Sequence, residues 1–150
     1  SDNSGRITST WQSFFRLLKD ILDPLGVERV FDLNNNQVTP LDIPDLKVSK
    51  LKTSHAIIEY LIQRVTVGTN PVELLESGVF HLIYRPTQDA WVKVNIGTSG
   101  PDDSLVDLSV TPSGQCQYVS ELVDGSPSIS KIIYRIRTLS GKNKQYSGAG

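Results

Sequence analysis

Residues 78–96, GVFHLIYRPTQDAWVKVNI, decide the fold class of this chain. Phe80, Leu82 and Tyr84 alternate with other side chains in the first half, and apolar residues again occupy every other position in the second half. A period of two is typical of β-strands, which point successive side chains to opposite faces. The four residues between the halves, PTQD, are turn formers. The stretch therefore predicts a β-hairpin whose apolar face needs a second layer to cover it.

Similar short alternating stretches predict further strands along the chain. They occupy residues 30–33, 46–52, 64–67, 105–110, 115–119 and 129–139. In the last and longest of them, Ile132, Tyr134 and Ile136 are predicted to face inward. Turn formers recur about every ten residues, a spacing that is typical of antiparallel sandwiches and barrels. The sequence therefore predicts a mainly β protein, an antiparallel β-sandwich of about seven strands.

An amphipathic helix is predicted near the N-terminus, over residues 8–23. Its apolar stripe is formed at helical spacing by Trp11, Phe14, Phe15, Leu18, Ile21 and Leu22. Pro24 and Gly26 end the pattern. Such a helix either packs on the sheet, as a core element, or docks on a partner subunit or a membrane surface. We predict Trp11, Phe14, Phe15 and Leu18 to contribute to assembly or to the core.

A short connecting helix is predicted just before the hairpin, over residues 70–78. Asn70 provides the N-cap, Pro71 the first helical position and Gly78 the C-terminal stop. Residues 53–67 fit a helix and a strand alike, because their apolar positions match both periods. For that stretch we expect a helical turn from Ser54 that runs into a strand.

Length and composition indicate one folded domain. A chain of 150 residues with 38% hydrophobic and 21% charged residues suits a single globular unit. Its apolar runs are far shorter than the roughly 20 residues of a membrane span, and no secretory signal pattern occurs. A lone cysteine, Cys116, excludes an internal disulfide and favours an intracellular protein. We expect one domain over residues 1–150, with a helical arm at about 8–23 and a flexible basic tail at about 140–150.

Charge is distributed unevenly along the chain. Residues 126–150 carry a charge of +5 without any acidic residue, whereas residues 1–125 carry −6. Alternate positions point the same way along a strand, so a row of cations there can contact phosphates, or can protect a sheet edge from aggregation. The asymmetry also fits charge-guided assembly. The predicted nucleic-acid-binding or anion-binding residues are Lys131, Arg135, Arg137, Lys142 and Lys144.

The sequence carries no recognisable catalytic or metal-binding motif. Neither a nucleophile elbow nor a phosphate-binding loop is present. His55, His81 and Cys116 could in principle form a catalytic pair or part of a metal site, but they lack the spacing of any such motif. Asp102 and Asp103 lie in a loop rich in Gly and Pro, where solvated carboxylates are ordinary. We therefore expect a protein that is not an enzyme, with no cofactor, no metal site and no small-molecule substrate.

Residues 31–40, FDLNNNQVTP, lead into the strand-rich body and are similar to the opening of jelly-roll coat proteins of picorna-like viruses. Matrix proteins of negative-strand viruses and plant-virus movement proteins share the combination of a sandwich with a basic surface. The resemblance implies a jelly-roll-like fold in a viral structural protein, located in the virion or the host cytoplasm. It also implies a homo-oligomer that contacts RNA or an anionic membrane surface. The alternatives are a cellular interaction module on a β-sandwich and a small hydrolase or lyase on a β-barrel.

Overall fold

Two antiparallel β-sheets packed face to face form the protein in a computed structural model that describes residues 27–139. The strands are β1 (Arg29–Asp32), β2 (Leu41–Lys47), β3 (His55–Val67), β4 (Glu73–Arg85), β5 (Ala90–Ser99), β6 (Val106–Val110), β7 (Gln115–Ser120) and β8 (Ser126–Leu139). One sheet has the order β1-β8-β3-β4-β5 and the other the order β2-β7-β6. The predicted mainly β, antiparallel two-sheet architecture is therefore confirmed.

The hydrophobic core lies between the two sheets. As the alternation predicts, Phe80, Leu82 and Ile132 are buried on the inner face of the larger sheet. Tyr118 and Cys116 face them from β7 of the smaller sheet. Burying a large apolar side chain stabilises the fold by about 1.5–3 kcal/mol. The sandwich is therefore held mainly by these inward-facing side chains.

The predicted hairpin is confirmed as β4 and β5, which pair down to Arg85 opposite Ala90. Its turn closes through a hydrogen bond from the Gln88 N–H to the Arg85 carbonyl at 3.2 Å. Asp89 adopts a positive φ of 49°, a conformation that Asp tolerates in turns. Lys50 Nζ donates to Asp89 Oδ1 at 2.6 Å and ties the turn to the connection between β2 and β3.

The predicted connecting helix over residues 70–78 is wrong, because β4 begins at Glu73. Residues 73–78 pair with β3, with Leu74 opposite Arg64 and Gly78 opposite Tyr60. A side chain at Gly78 would place its Cβ 2.5 Å from Tyr60 Oη, so this glycine makes room for the tyrosine and does not end a helix. Pairing with a long neighbouring strand outweighs the local capping signals.

The helical turn expected from Ser54 is also wrong. Strand β3 runs unbroken from His55 to Val67, in the middle of the sheet between β8 and β4. Its outward positions are only partly exposed and include the apolar residues Ile57 and Leu61, so the sequence loses a clear period of two. The ambiguous pattern of residues 53–67 was therefore that of a central strand.

The strand predicted over residues 46–52 lies earlier in the chain. Strand β2 spans Leu41–Lys47, and in the described part of the chain it pairs only with β7, at the edge of the smaller sheet. Its register shifts between Asp42 and Lys47, in the stretch that contains Pro44. Proline is tolerated in an edge strand at such an irregularity, since its missing N–H costs no ladder hydrogen bond there. Pro40 thus directly precedes β2, whereas Pro44 lies inside the strand.

A buried arginine joins three connections at one end of the sandwich. Arg64 on β3 is only 2% exposed. Its Nη1 donates to the Ser104 carbonyl at 2.8 Å, and its Nη2 donates to Asn35 Oδ1 at 2.8 Å and to the Glu121 carbonyl at 2.7 Å. Burial lowers the pKa of Arg64 below its ordinary value. This side chain therefore fixes the ends of several loops through polar groups that carry no formal charge.

The predicted N-terminal helix, with Trp11, Phe14, Phe15 and Leu18, lies outside the described residues. The predicted tail lies outside them as well, with Lys142 and Lys144. Between residues 27 and 139 no helix has the length and apolar character needed to cross a membrane.

Candidate functional site

The outer face of the five-stranded sheet is the candidate functional site. Each strand of this sheet turns alternate side chains away from the core, and within residues 27–139 no second layer covers them. Cross-strand pairing aligns these outward side chains in rows that run perpendicular to the strands. The face is divided into an apolar part near β5 and a charged part near β8.

The apolar part is a compact group that we call the apolar patch. Ile57 lies opposite His81, which lies opposite Val94, and in the next row His55 lies opposite Ile83, which lies opposite Val92. Leu139 extends the second row onto β8. The apolar patch comprises Ile57, Ile83, Val92, Val94 and Leu139. Three of its members are 37–50% exposed, which is high for large aliphatic side chains on one contiguous surface.

Two histidines lie side by side within the apolar patch. His55 Nε2 is 2.8 Å from His81 Nδ1, so one ring donates a hydrogen bond to the other. Burial, and then the charge of neighbouring His81, lower the pKa of His55 below its ordinary value. The two rings therefore share a hydrogen bond that requires at least one of them to be neutral.

The charged part contains three of the predicted anion-binding residues, Lys131, Arg135 and Arg137, which we call the basic row. All three are partly exposed on the outer face of β8. Arg137 Nε lies 3.1 Å from Glu59 Oε1, although its N–H makes no hydrogen bond there. Arg135 is the direct cross-strand partner of the same Glu59. Asp32 on β1 is in turn the cross-strand partner of Lys131, so the three cations of the basic row face two carboxylates and the row keeps a surplus of one positive charge.

The position of β8 in the sheet bears on the other interpretation of the basic row, in which its charges protect a sheet edge from aggregation. Strand β8 lies between β1 and β3, so part of it is an interior strand of the sheet rather than an edge. Strand β1, however, pairs only with residues 131–134 of β8. Within the described chain, Arg135 and Arg137 therefore adjoin a stretch whose outer side has no strand partner. Protection of this partial edge and anion binding both fit the row.

The opposite edge of the sheet is formed by the second half of β5. Residues 94–99, VNIGTS, are all exposed, contain no charged residue and pair only with β4 in the described part of the chain. A register shift opposite Val79 and Phe80 marks one bulge in this segment. Edge strands of most proteins are protected by charge or proline, because their unpaired N–H and C=O groups accept another strand. Residues 94–99 have neither charge nor proline, and the bulge is the one protective feature in this segment.

A polar cleft of about 530 Å³ opens beside this edge, between β5 and β6. Lys93 Nζ donates to the Leu108 carbonyl at 2.8 Å, and burial lowers the pKa of this amine. Glu76 accepts hydrogen bonds from the Ser104 N–H at 2.9 Å and from Tyr60 Oη at 3.0 Å. Because its principal polar groups already hold protein partners, the cleft offers no preorganised set of groups for a substrate.

The side chains that could suggest catalysis do not come together. His55 and His81 lie on the outer face of the larger sheet, whereas Cys116 is buried in the core. Burial raises the pKa of the Cys116 thiol to about 12, so the thiolate needed for nucleophilic attack is disfavoured. Asp102 accepts a hydrogen bond from the Leu75 N–H of β4, and Asp103 accepts one from the Leu105 N–H within the loop. Among residues 27–139, no group of three or more His, Cys, Asp or Glu could hold a metal ion.

Sequence reasoning placed the basic row correctly on one outward face, but it missed the apolar patch and the β5 edge. The patch depends on the register between β3, β4 and β5, which no local pattern specifies. The exposed character of residues 94–99 depends on which strand lies at the sheet edge. The absence of charge over these six residues was the one signal in the sequence that could have indicated an unprotected edge.

Comparison of the chain with protein-family models, with curated proteins and with solved structures found no match.

Proposed function

We propose that this chain is a non-enzymatic structural protein, of the viral coat or matrix type, that self-associates through the edge of β5. The observation that carries the proposal is the exposed, uncharged edge segment of residues 94–99. Such an edge is a template for strand addition, because alternate backbone groups point outward and await partners. Two copies joined there would form one continuous sheet.

Viral origin rests on the resemblance of residues 31–40 to jelly-roll coat proteins, and the strand pairing gives partial support for a jelly-roll-like fold. The first and last strands pair in one sheet, and the second and second-to-last strands pair in the other. Two Greek keys wound in this nested way are the basis of jelly rolls. The consecutive order β3-β4-β5 within one sheet departs from that plan, since these strands form a simple meander. Coat, matrix and movement roles are all compatible with these features.

Contact with an anionic partner is the second part of the proposal. Lys131, Arg135 and Arg137 present a positive surplus on the outer face of β8, and the sequence adds Lys142 and Lys144 beyond Leu139. Arginine can place two N–H groups on the same phosphate, which lysine cannot. The partner is RNA or an anionic membrane surface.

A charge placed on the β5 edge tests self-association. Ile96 is 59% exposed, so Ile96→Lys leaves the core intact. In an edge-to-edge pair of copies, like charges meet across the interface and oppose pairing. We expect the concentration at which half of the chains are assembled to rise at least about tenfold, equivalent to about 1.4 kcal/mol. Size-exclusion chromatography with light scattering over a concentration series measures it.

Val38→Lys provides the matched control, because Val38 is 74% exposed and precedes β2 rather than lying on β5. The control should assemble as the wild type does. Equal assembly of all three proteins would remove the β5 edge from the proposal. Equal weakening by both lysines would mean that added positive charge alone opposes association.

A β-sandwich interaction module of a cell is the second candidate function, because the same edge could bind an extended segment of another protein. The two candidates differ in behaviour of the isolated chain. A structural protein forms larger species as its concentration rises, whereas a module stays monomeric until its partner is added.

A further inference from the structure

The apolar patch on the outer face of the larger sheet is exposed in the described residues, and its size limits what can cover it. Measured between strand axes, it spans three strand spacings of about 4.8 Å and two rows about 7 Å apart, an area on the order of 100 Å². A stable protein–protein interface buries about 800 Å² on each partner. The patch is therefore too small to hold two copies together by itself, but it matches the footprint of one amphipathic helix.

We propose that residues 11–22 of the same chain cover the apolar patch. This segment carries Trp11, Phe14, Phe15 and Leu18 on one predicted stripe, a concentration of large apolar side chains found nowhere else outside the described residues. The other segment outside the structure, residues 140–150, is SGKNKQYSGAG and offers only Tyr146 as a large apolar group. Because the patch is apolar, the N-terminal segment matches it better than the C-terminal one does.

The chain enters the fold at the end of the sheet where the patch lies. Arg29 pairs with Tyr134, and the two strands are antiparallel. Val27, two residues earlier, therefore lies level with the part of β8 that leads to Arg137 and Leu139. The rows of the apolar patch continue from those two residues across β3, β4 and β5.

A helix over residues 11–22 would also have the length needed to cross the five-stranded sheet. Four strand spacings separate β1 from β5, about 19 Å in total. Residues 11–22 in a helix measure about 18 Å. Residues 23–26, which include Pro24 and Gly26, provide a link that reaches about 13 Å when extended. A helix that crosses the strands can thus span the apolar patch without moving β1.

Fluorescence of Trp11 tests this proposal in the full chain. The protein has two tryptophans, and Trp91 is buried in the core. A Trp91→Phe variant leaves Trp11 as the only tryptophan. We expect blue-shifted emission and protection from acrylamide quenching. Adding Ile83→Lys within the patch should abolish that protection and shift the emission to the red.

Leu122→Lys is the matched control, because Leu122 is exposed in the connection after β7 and far from the patch in the sheet order. It should leave Trp11 protected. The proposal is overturned if Trp11 is as accessible as in urea, or if Ile83→Lys leaves its protection unchanged. It is also overturned if protection disappears on dilution, since a second copy would then be the occupant.

The unsubstituted chain gives a second measurement in case Trp91→Phe does not fold. If both tryptophans are covered, acrylamide quenches one protected population. An accessible population amounting to half of the emission would show that Trp11 is exposed and would contradict the proposal. Neither reading depends on whether the chain assembles through the β5 edge.

Discussion

Arg64 is a charged side chain buried almost completely, and its hydrogen bonds hold neutral groups rather than a carboxylate. Without it, the carbonyls of Ser104 and Glu121 would lose this donor, whereas Asn35 Oδ1 would keep the Val123 N–H. A buried polar group left without a hydrogen bond costs about 1–3 kcal/mol. The residue thus stabilises the loops at one end of the sandwich.

Arg64→Met is therefore expected to destabilise the protein by at least about 3 kcal/mol, even though it removes a buried charge. Urea unfolding followed by circular dichroism measures the loss. Arg85→Met, at the exposed end of β4, is the control and should change stability by less than about 0.5 kcal/mol. A similar midpoint for both variants would show that the Arg64 hydrogen bonds contribute little.

His55 gives the outer face a dependence on pH. Its pKa is lowered in the folded protein by burial and by His81, and Arg137 is the charged group in the adjacent row of β8. The unfolded chain therefore binds a proton at His55 at higher pH than the folded chain does. The stability that this difference in the pKa of His55 contributes is fully present above the unfolded pKa of about 6.5. It is lost as the pH falls through the lower folded pKa.

We expect the urea midpoint of the wild type to fall between about pH 7.5 and pH 5.5. In His55→Gln that fall should be smaller, because glutamine does not titrate. The comparison uses the change with pH within each protein, so a constant loss of stability in the variant does not affect it. An identical fall in both proteins would show that His55 makes no contribution to the pH dependence.

At the scale of elements, strands with one exposed face could be predicted from the sequence, and strands with unusual surroundings could not. The hairpin of β4 and β5 and the inward side of β8 followed from their period of two. The sequence of strand β3 shows no clear period of two, because both faces of the strand are partly buried. Asn70 and Gly78 are local signals for a helix. Residues 73–78 nevertheless form a strand, because they pair with β3 and because Tyr60 occupies the space beside Gly78.

Only part of the candidate site could be predicted from the sequence, because some of its residues lie on one strand and others are brought together only by strand pairing. The basic row lies on one strand, so its alternation alone brought Arg135 and Arg137 to the same face. The apolar patch combines residues of β3, β4, β5 and β8, and only the pairing register brings them together. The clustering of His55 with His81, 26 positions apart, has the same origin.

The basic row on β8 is predicted to bind RNA with a dependence on salt. Each phosphate contact adds about −0.7 to the slope of log affinity against log salt for a single strand. The triple variant Lys131→Ala, Arg135→Ala, Arg137→Ala should therefore flatten that slope by up to about 2 units. Filter binding of a short RNA at several salt concentrations measures it.

A second triple variant of equal charge change, Lys47→Ala, Lys50→Ala, Lys52→Ala, is the control. These lysines lie in β2 and the connection after it, away from the outer face of the larger sheet. The control should retain the slope of the wild type. Equal slopes for both triple variants would assign the binding to net charge, and no binding by the wild type would leave the row as protection of a partial sheet edge.

On the scale of the whole molecule, the two sheets are unequal. The larger sheet has five strands and covers the smaller one on a single face, so that among residues 27–139 no second layer lies on its outer face and no strand pairs with the outer edge of β5. The edge offers backbone hydrogen bonds, the apolar patch offers burial, and the basic row offers charge. Separation of these three features on one sheet allows assembly and anion binding to occur together.

Sedimentation velocity of the unsubstituted chain over a wide concentration range tests the central claim, self-association, most directly. The account predicts species that grow beyond the 16.6 kDa monomer as concentration rises. Because backbone pairing at the β5 edge is not an interaction between charges, the growth should persist at high salt, where surface charges are screened. A single 16.6 kDa species at every concentration and salt would contradict the account.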